Sequence, residues 1–256
     1  MDNIIITGCS YSAKSGVDEP YSYFLKKYFN VNVLNLAWPG QSNDTIIRNV
    51  KEEVKKGIKN TLFICQITHL HRISKFCTIN KKWLDFQPAI INELPSIKDD
   101  KVQFEVLIYD SNNKNISRHN TGGIGIYGIK NMSEFPSVEK IYNKLLDWYE
   151  TYLMYLYDEE NTFYELHDKL EELTKQVKDS GNDIIYLYWP DINYNSSLFN
   201  NNFVSIEGEY SILKWSIKNK LTQNTDTHLS INGHKQLSKI IVKHIDKNIN
   251  LNEELI

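Results

Sequence analysis

Residues 3–12 read Asn-Ile-Ile-Ile-Thr-Gly-Cys-Ser-Tyr-Ser. The β-branched apolar run up to Thr7 meets Gly8, the pattern of a buried parallel strand closing on a tight loop. That loop delivers Cys9, Ser10 and Ser12 at the strand's carboxyl end. Beyond it, Tyr21 to Phe29 (YSYFLKKYF) carries aromatic and aliphatic residues at helical spacing, and Val31 to Ala37 alternates as a second strand. Trp38-Pro39-Gly40 stops that strand. Ser42 or Asn43 caps a helix whose apolar stripe is Ile46, Ile47, Val50 and Val54, and Asn60 to Thr68 (NTLFICQIT) forms the third buried strand. Strand, helix, strand, helix, strand predicts an α/β fold with a mainly parallel sheet. Ligands of such sheets bind at the carboxyl ends of the strands, here Gly8 to Ser12, Trp38 to Asn43 and Thr68 to Arg72.

The middle of the chain reads differently. Between Phe76 and Lys130 it is polar and Asn-rich, with a strand at Val102 to Tyr109, a turn at Ser111 to Asn115 and a further strand at Ile124 to Ile129. This predicts an insertion over about 77–137, carrying a β-hairpin, within one domain covering 1–256. Val138 to Tyr157 and Thr162 to Lys178 are predicted helices, the second ended by Gly181. Asp183 to Trp189 is a core strand stopped by Pro190-Asp191. A short helix around Tyr210 to Trp215 precedes a C-terminal amphipathic helix whose apolar positions are Leu237, Ile240, Ile241 and Ile245.

Composition excludes several classes. The 256 residues contain no apolar run approaching a bilayer span, so no membrane partner is expected. With 29 basic against 32 acidic side chains the formal charge is -3, without the basic excess of a nucleic-acid binder. Three cysteines, Cys9, Cys65 and Cys77, suit a reduced compartment better than a disulfide framework. The start MDNIIITG lacks a basic n-region and a long apolar h-region, which points to a cytoplasmic protein.

A serine hydroxyl needs a base within reach, a group that orients the base, and donors for the developing oxyanion. Ser10 stands where a nucleophile would, although a loop serine there also caps a following helix. His228, in Thr225-Asp226-Thr227-His228, precedes the last helix. Asp226, two residues away, can fix its tautomer, although both are also ordinary helix-start residues. Cys9, one residue from Ser10, is a second candidate nucleophile in principle, although its position inside the turn more often points a side chain into the core. His69 and His71 lack carboxylate or thiolate partners at ligand spacing, so no metal and no cofactor are expected. Arg72, at a strand end, suits a substrate carboxylate or phosphate, or equally a structural ion pair. Trp148, Tyr149, Tyr152, Tyr155 and Tyr157 read mainly as core or helix-packing surface, with a sugar-stacking face as the alternative, and His234 reads as support for its loop.

Taken in order, these blocks resemble the SGNH hydrolase superfamily, the GDSL-like esterases and acylhydrolases. Gly8-Cys9-Ser10 resembles its nucleophile block, Pro39-Gly40-Gln41-Ser42-Asn43 its second block, and Asp226-Thr227-His228-Leu229-Ser230-Ile231-Asn232-Gly233-His234 a form of its last. The resemblance implies a three-layer α/β/α, flavodoxin-like fold. It also implies Ser10 as nucleophile, His228 as base and then acid, and Asp226 as the orienting carboxylate. The N–H groups of Ser10 and Gly40 would form the oxyanion hole, with Asn43 as a further donor. The family's Gly-x-Asn-Asp block is missing; Gln66 to Arg72 stands there instead and resembles a strand-Thr-x-x-x-Arg form, implying substrate contacts from Thr68 and Arg72. Asp226 lies one residue closer to the histidine than the common spacing, which leaves Asp191 as an alternative partner.

The expected activity is hydrolysis of an ester through an acyl-serine, with a short acyl group such as acetyl on a carbohydrate or other polar metabolite. Acyl transfer on the same scaffold and a catalytically silent glycan-binding module are the alternatives. The sequence does not fix the oligomeric state.

Overall fold

The computed structural model describes residues 1–13, 17–77, 82–88, 105–109, 115–119, 123–127, 148–149, 151–190, 198–223 and 227–248. By backbone contacts the chain forms two compact units. The first comprises Met1–Pro39, Ile46–His69 and Tyr164–Ile256, and the second Gly40–Thr45 and Leu70–Phe163.

The first unit is built on a parallel sheet of β1 (Asn3–Thr7), β2 (Asn32–Asn35), β3 (Thr61–Ile67) and β4 (Asp183–Tyr188), in the order β2-β1-β3-β4. Alternation along each strand divides its side chains between two layers. Ile4, Ile6, Leu62, Ile64, Ile185 and Leu187 join one buried cluster with Tyr21 and Leu25 of α1 (Tyr21–Phe29) and Leu237, Ile241 and Ile245 of α5 (Ile231–Asn248). The opposite face carries Phe63, Ile184 and Tyr186, all buried. Tyr186 OH donates to Leu170 O at 2.9 Å, which sets α3 (Glu159–Asp179) on this side. Beside α3 lies α2 (Asn43–Lys55), linked to it by Lys51 Nζ and Glu172 Oε1 at 3.4 Å. The expected three-layer α/β/α arrangement with a parallel sheet is therefore present.

Local chemistry sets the ends of these elements. Asp158 caps α3, its carboxylate accepting Asn161 N–H at 2.8 Å, and Gly181 closes the helix with φ 75°. Ser211 caps the short α4 (Ile212–Lys218) by accepting Lys214 N–H. Ser230 caps α5: its hydroxyl accepts Gly233 N–H at 3.2 Å and donates to Leu221 O at 2.8 Å.

The second unit contains a five-stranded sheet. Its strands are β5 (Ile73–Cys77), β6 (Lys82–Pro88), β7 (Glu105–Tyr109), β8 (Asn115–His119) and β9 (Gly123–Tyr127), ordered β5-β6-β9-β7-β8. An antiparallel pair is present, β7 with β8 and Val106 opposite His119, but its second strand was not among those expected; the two expected strands correspond to β7 and β9, which pair parallel. A second hairpin, β5 with β6, was not expected from the sequence. Its Asp85 is 6% exposed, and its carboxylate accepts Ser42 Oγ, just before α2, and Thr45 Oγ1, in the first turn of α2, each at 2.6 Å. Buried pairing of this kind offsets the cost of hiding a carboxylate. The helix expected over Val138 to Tyr157 also differs: Tyr152–Leu156 is π-helical, closed by Tyr157 N–H to Tyr152 O at 2.8 Å, and 138–147 lies outside the described residues.

Candidate active site

Order β2-β1-β3 puts a topological switch point between β1 and β3, since the chain leaves β1 to one side and returns to the other. A crevice at the carboxyl ends of such strands is where α/β sheets bind ligands. Ser10 emerges there, half-buried, in a turn where the N–H groups of Ser12 and Ala13 both reach Cys9 O at 3.0 Å.

A buried amide anchors this turn. Gln66, on β3 and 1% exposed, accepts Cys9 N–H at 3.2 Å and Ser12 Oγ at 3.0 Å through its Oε1. Tyr21 OH donates to Ser12 Oγ at 2.8 Å, and burial pushes the Tyr21 hydroxyl's pKa up. Gly8 makes the approach possible: a Cβ there would lie 2.9 Å from Gln66 Cβ and 3.0 Å from Ser12 Cβ. Cys9 is fully buried beside the Gln66 amide, as expected, so its thiol faces the core. Cys65 is likewise buried, and desolvation pushes its thiol up to about 12. On the β2 side, Asn35 Nδ2 donates to Ser12 O at 2.8 Å and Trp38 N–H to Gly8 O at 3.1 Å. The loop bearing Ser10 is thus held from two neighbouring strands.

Tyr11 carries the contact to the far end of the sequence. Its ring lies between Trp189, at 3.6 Å and 15°, and His228, at 4.5 Å and 30°. Its hydroxyl is 3.1 Å from Thr227 Oγ1. Trp189 directly follows β4, and its N–H reaches Ile67 O at 3.2 Å. Consequently the carboxyl ends of β1, β3 and β4 and the segment leading into α5 meet around one aromatic stack. His228 is half-buried, and its carbonyl accepts Gln223 N–H at 2.7 Å. A Thr222–Leu229 bridge closes the same loop.

Of the other expected site residues, Thr68 is fully buried at the end of β3. Gly40, with φ 80°, Asn43 and Arg72 belong to the second unit, where Asn43 is 6% and Arg72 7% exposed. Asp226 and Asp191 lie outside the described residues. Residues that sequence reasoning missed are Gln66, Tyr11 and Trp189. The signal for Gln66 was a lone amide inside an otherwise apolar strand, which demands partners when buried.

His234 lies in the first turn of α5. It is 3% exposed, its ring faces Tyr21 with centroids 6.1 Å apart, and burial, with a smaller contribution from His228, holds its pKa down to about 4. The folded state therefore keeps this imidazole neutral where the unfolded chain, titrating near 6.5, binds a proton. Stability from this group is complete above the unfolded value and is lost as pH falls toward about 4. The loss should reach roughly 3 kcal/mol. Urea midpoints measured against pH test this: a His234→Asn variant should lack that portion of the acid-side fall, and an unchanged profile would refute the assignment.

Among the described residues, His167, Asp168 and Glu171 of α3 place ligand atoms within 4.8 Å of one another. His167 Nε2 meets Leu198 O, and the two acids are exposed. Surface sets of this kind are common without an ion and carry no assignment. No described helix is long and apolar enough to cross a membrane.

No family model and no curated protein matches the sequence. Solved structures do match. YxiM from Bacillus subtilis aligns over 96% of this chain at 12% identity and TM-score 0.41, and this chain spans 56% of that protein. A lipolytic protein of the G-D-S-L family from Veillonella parvula aligns over 95% of this chain and 97% of its own, at 9% identity and TM-score 0.43. A protein from Desulfitobacterium hafniense assigned to the same family gives 95% and 99%, at 11% identity and TM-score 0.36.

Proposed function

We propose that the chain is a serine esterase of the SGNH type that cleaves a short acyl ester of a polar metabolite or carbohydrate. The observation that supports this reading is the Trp189–Tyr11–His228 stack, which brings the histidine before α5 against the residue following Ser10. In the proposed reaction Ser10 Oγ attacks the acyl carbon while His228 takes the hydroxyl proton. The N–H group of Ser10 is a donor to the tetrahedral oxyanion. As the intermediate collapses, the ester C–O bond breaks and His228 gives its proton to the departing alcohol. Water, deprotonated by His228, then attacks the acyl-serine and releases a carboxylic acid and free Ser10. Asp226 orients the imidazole, and Thr68 contacts the substrate. Preorganised donors of this kind are each worth about 3 kcal/mol of transition-state stabilisation. No cofactor enters the scheme.

A fluorophosphonate probe tests the nucleophile directly. Mass spectrometry of the labelled chain should place a single phosphonyl adduct on Ser10, with labelling lost in His228→Ala. An unlabelled native protein, or an adduct on another serine, would exclude the proposal.

A further inference from the structure

Along one flank of α5 lies a cavity of about 830 Å³, lined by none of the proposed catalytic residues. Volumes of a few hundred to a thousand Å³ accommodate small organic ligands. One wall is the flank of α5, which presents Lys239, Lys243 and Lys247. At four-residue spacing they stand one above another, about 6 Å apart along the axis and about 12 Å from first to last. Another part of the lining is aromatic: Phe199 stacks on Tyr210 at 4.3 Å and 12°, and Phe203 meets Phe199 edge-on at 4.9 Å. Among the described lining residues Glu207 is the one acid set against the three lysines. Asn200 and Asn219 also line the cavity; Asn200 Oδ1 accepts Asn202 N–H and Asn219 Nδ2 donates to Trp215 O, which leaves the Asn200 amide nitrogen as a donor and the Asn219 amide oxygen as an acceptor.

We infer that this cavity is a binding site for a short acidic oligosaccharide. The lysine row supplies regularly spaced positive charge for sugar carboxylates, and the amides match hydroxyl groups, which both donate and accept. Tyr210, half-buried at the rim, supplies an apolar face for a sugar ring. A nucleic-acid strand fits less well, because it needs a succession of open stacking platforms and a basic track. Here Phe199 is already engaged with both Phe203 and Tyr210. The inference does not rest on the esterase reading, since none of the lining residues belongs to the proposed catalytic set.

Calorimetric titration of the full chain with a short oligogalacturonate tests it, with maltotriose as the neutral sugar and an oligothymidylate as the non-sugar polyanion. The oligogalacturonate should bind, with affinity falling as salt is raised. Combined Lys239→Gln, Lys243→Gln and Lys247→Gln substitutions should weaken binding about tenfold or more, with the circular dichroism spectrum unchanged because all three side chains are exposed. Tyr210→Ala should weaken it as well. Absence of oligogalacturonate binding, equal affinity for maltotriose, tighter binding of the oligothymidylate, or full affinity in the lysine variant would each overturn the assignment.

Discussion

Ser10→Ala should reduce hydrolysis of p-nitrophenyl acetate to the background rate, a loss of at least about a thousandfold in kcat. In the proposed mechanism this removes the nucleophile and with it the acyl-enzyme route, and it leaves the fold in place, because the bonds that anchor the loop run from Cys9 N and Ser12 Oγ to Gln66. The melting temperature should therefore stay within a degree or two of the parent. His228→Ala should show a similar loss, and the double variant should be no worse than either single one, since residues that act as a unit are grossly non-additive. Activity that survives Ser10→Ala, or a double variant whose loss is the product of the two, would place the chemistry elsewhere. Cys9→Ala is a useful contrast. Its thiol is buried, so turnover should persist even if stability drops.

The largest effect on stability is expected at Gly233, in the first turn of α5. An added Cβ would lie 2.4 Å from Leu221 O and 3.1 Å from Leu229 Cδ2. The first of these is backbone and cannot rotate away. Leu221 O also accepts both the N–H and the hydroxyl of Ser230, each at 2.8 Å. A methyl group at 233 thus forces the helix start off the carbonyl that its cap is bound to. Gly233→Ala should destabilise the chain by about 3 kcal/mol or more. Because His228 lies just ahead of this cap, esterase activity should fall as well. Urea denaturation with an unchanged m-value gives the measurement, and Asn232→Ala, on an exposed neighbour, serves as the reference with an effect below about 1 kcal/mol. Equal midpoints for the two variants would show that the helix start yields without cost.

The first unit was legible in the sequence because β1, β3 and β4 are covered on both faces. Strands of that kind read as near-continuous apolar runs, and Thr61 to Ile67 is buried at every position. The β5–β6 hairpin was not legible, since Lys82 to Pro88 mixes Lys, Asp, Gln and Pro, residues depleted in strands. Asp85 becomes intelligible only with Ser42 and Thr45, residues 43 and 40 positions away. Tyr152 to Leu156 shows helical periodicity, which does not distinguish an α-helix from a π-turn. At the proposed site, short-range pattern marked Ser10 and His228, each beside a glycine or a helix start. Gln66, Tyr11 and Trp189 act through contacts between distant segments, and one-dimensional spacing carries no trace of them.

The grip of Gln66 on the turn after β1 bears on any attempt to engineer this protein. Gly8, Ser12 and Gln66 fill a single small volume, with the missing side chain of the first making room for the amide of the third. A redesigned GCSYS segment grafted onto another scaffold would arrive without its receiving amide. It would leave an inward-facing serine and a main-chain donor stranded in oil-like surroundings. The transferable module is therefore two segments from adjacent strands, and exchanging either one by itself should misaim the hydroxyl it was meant to present.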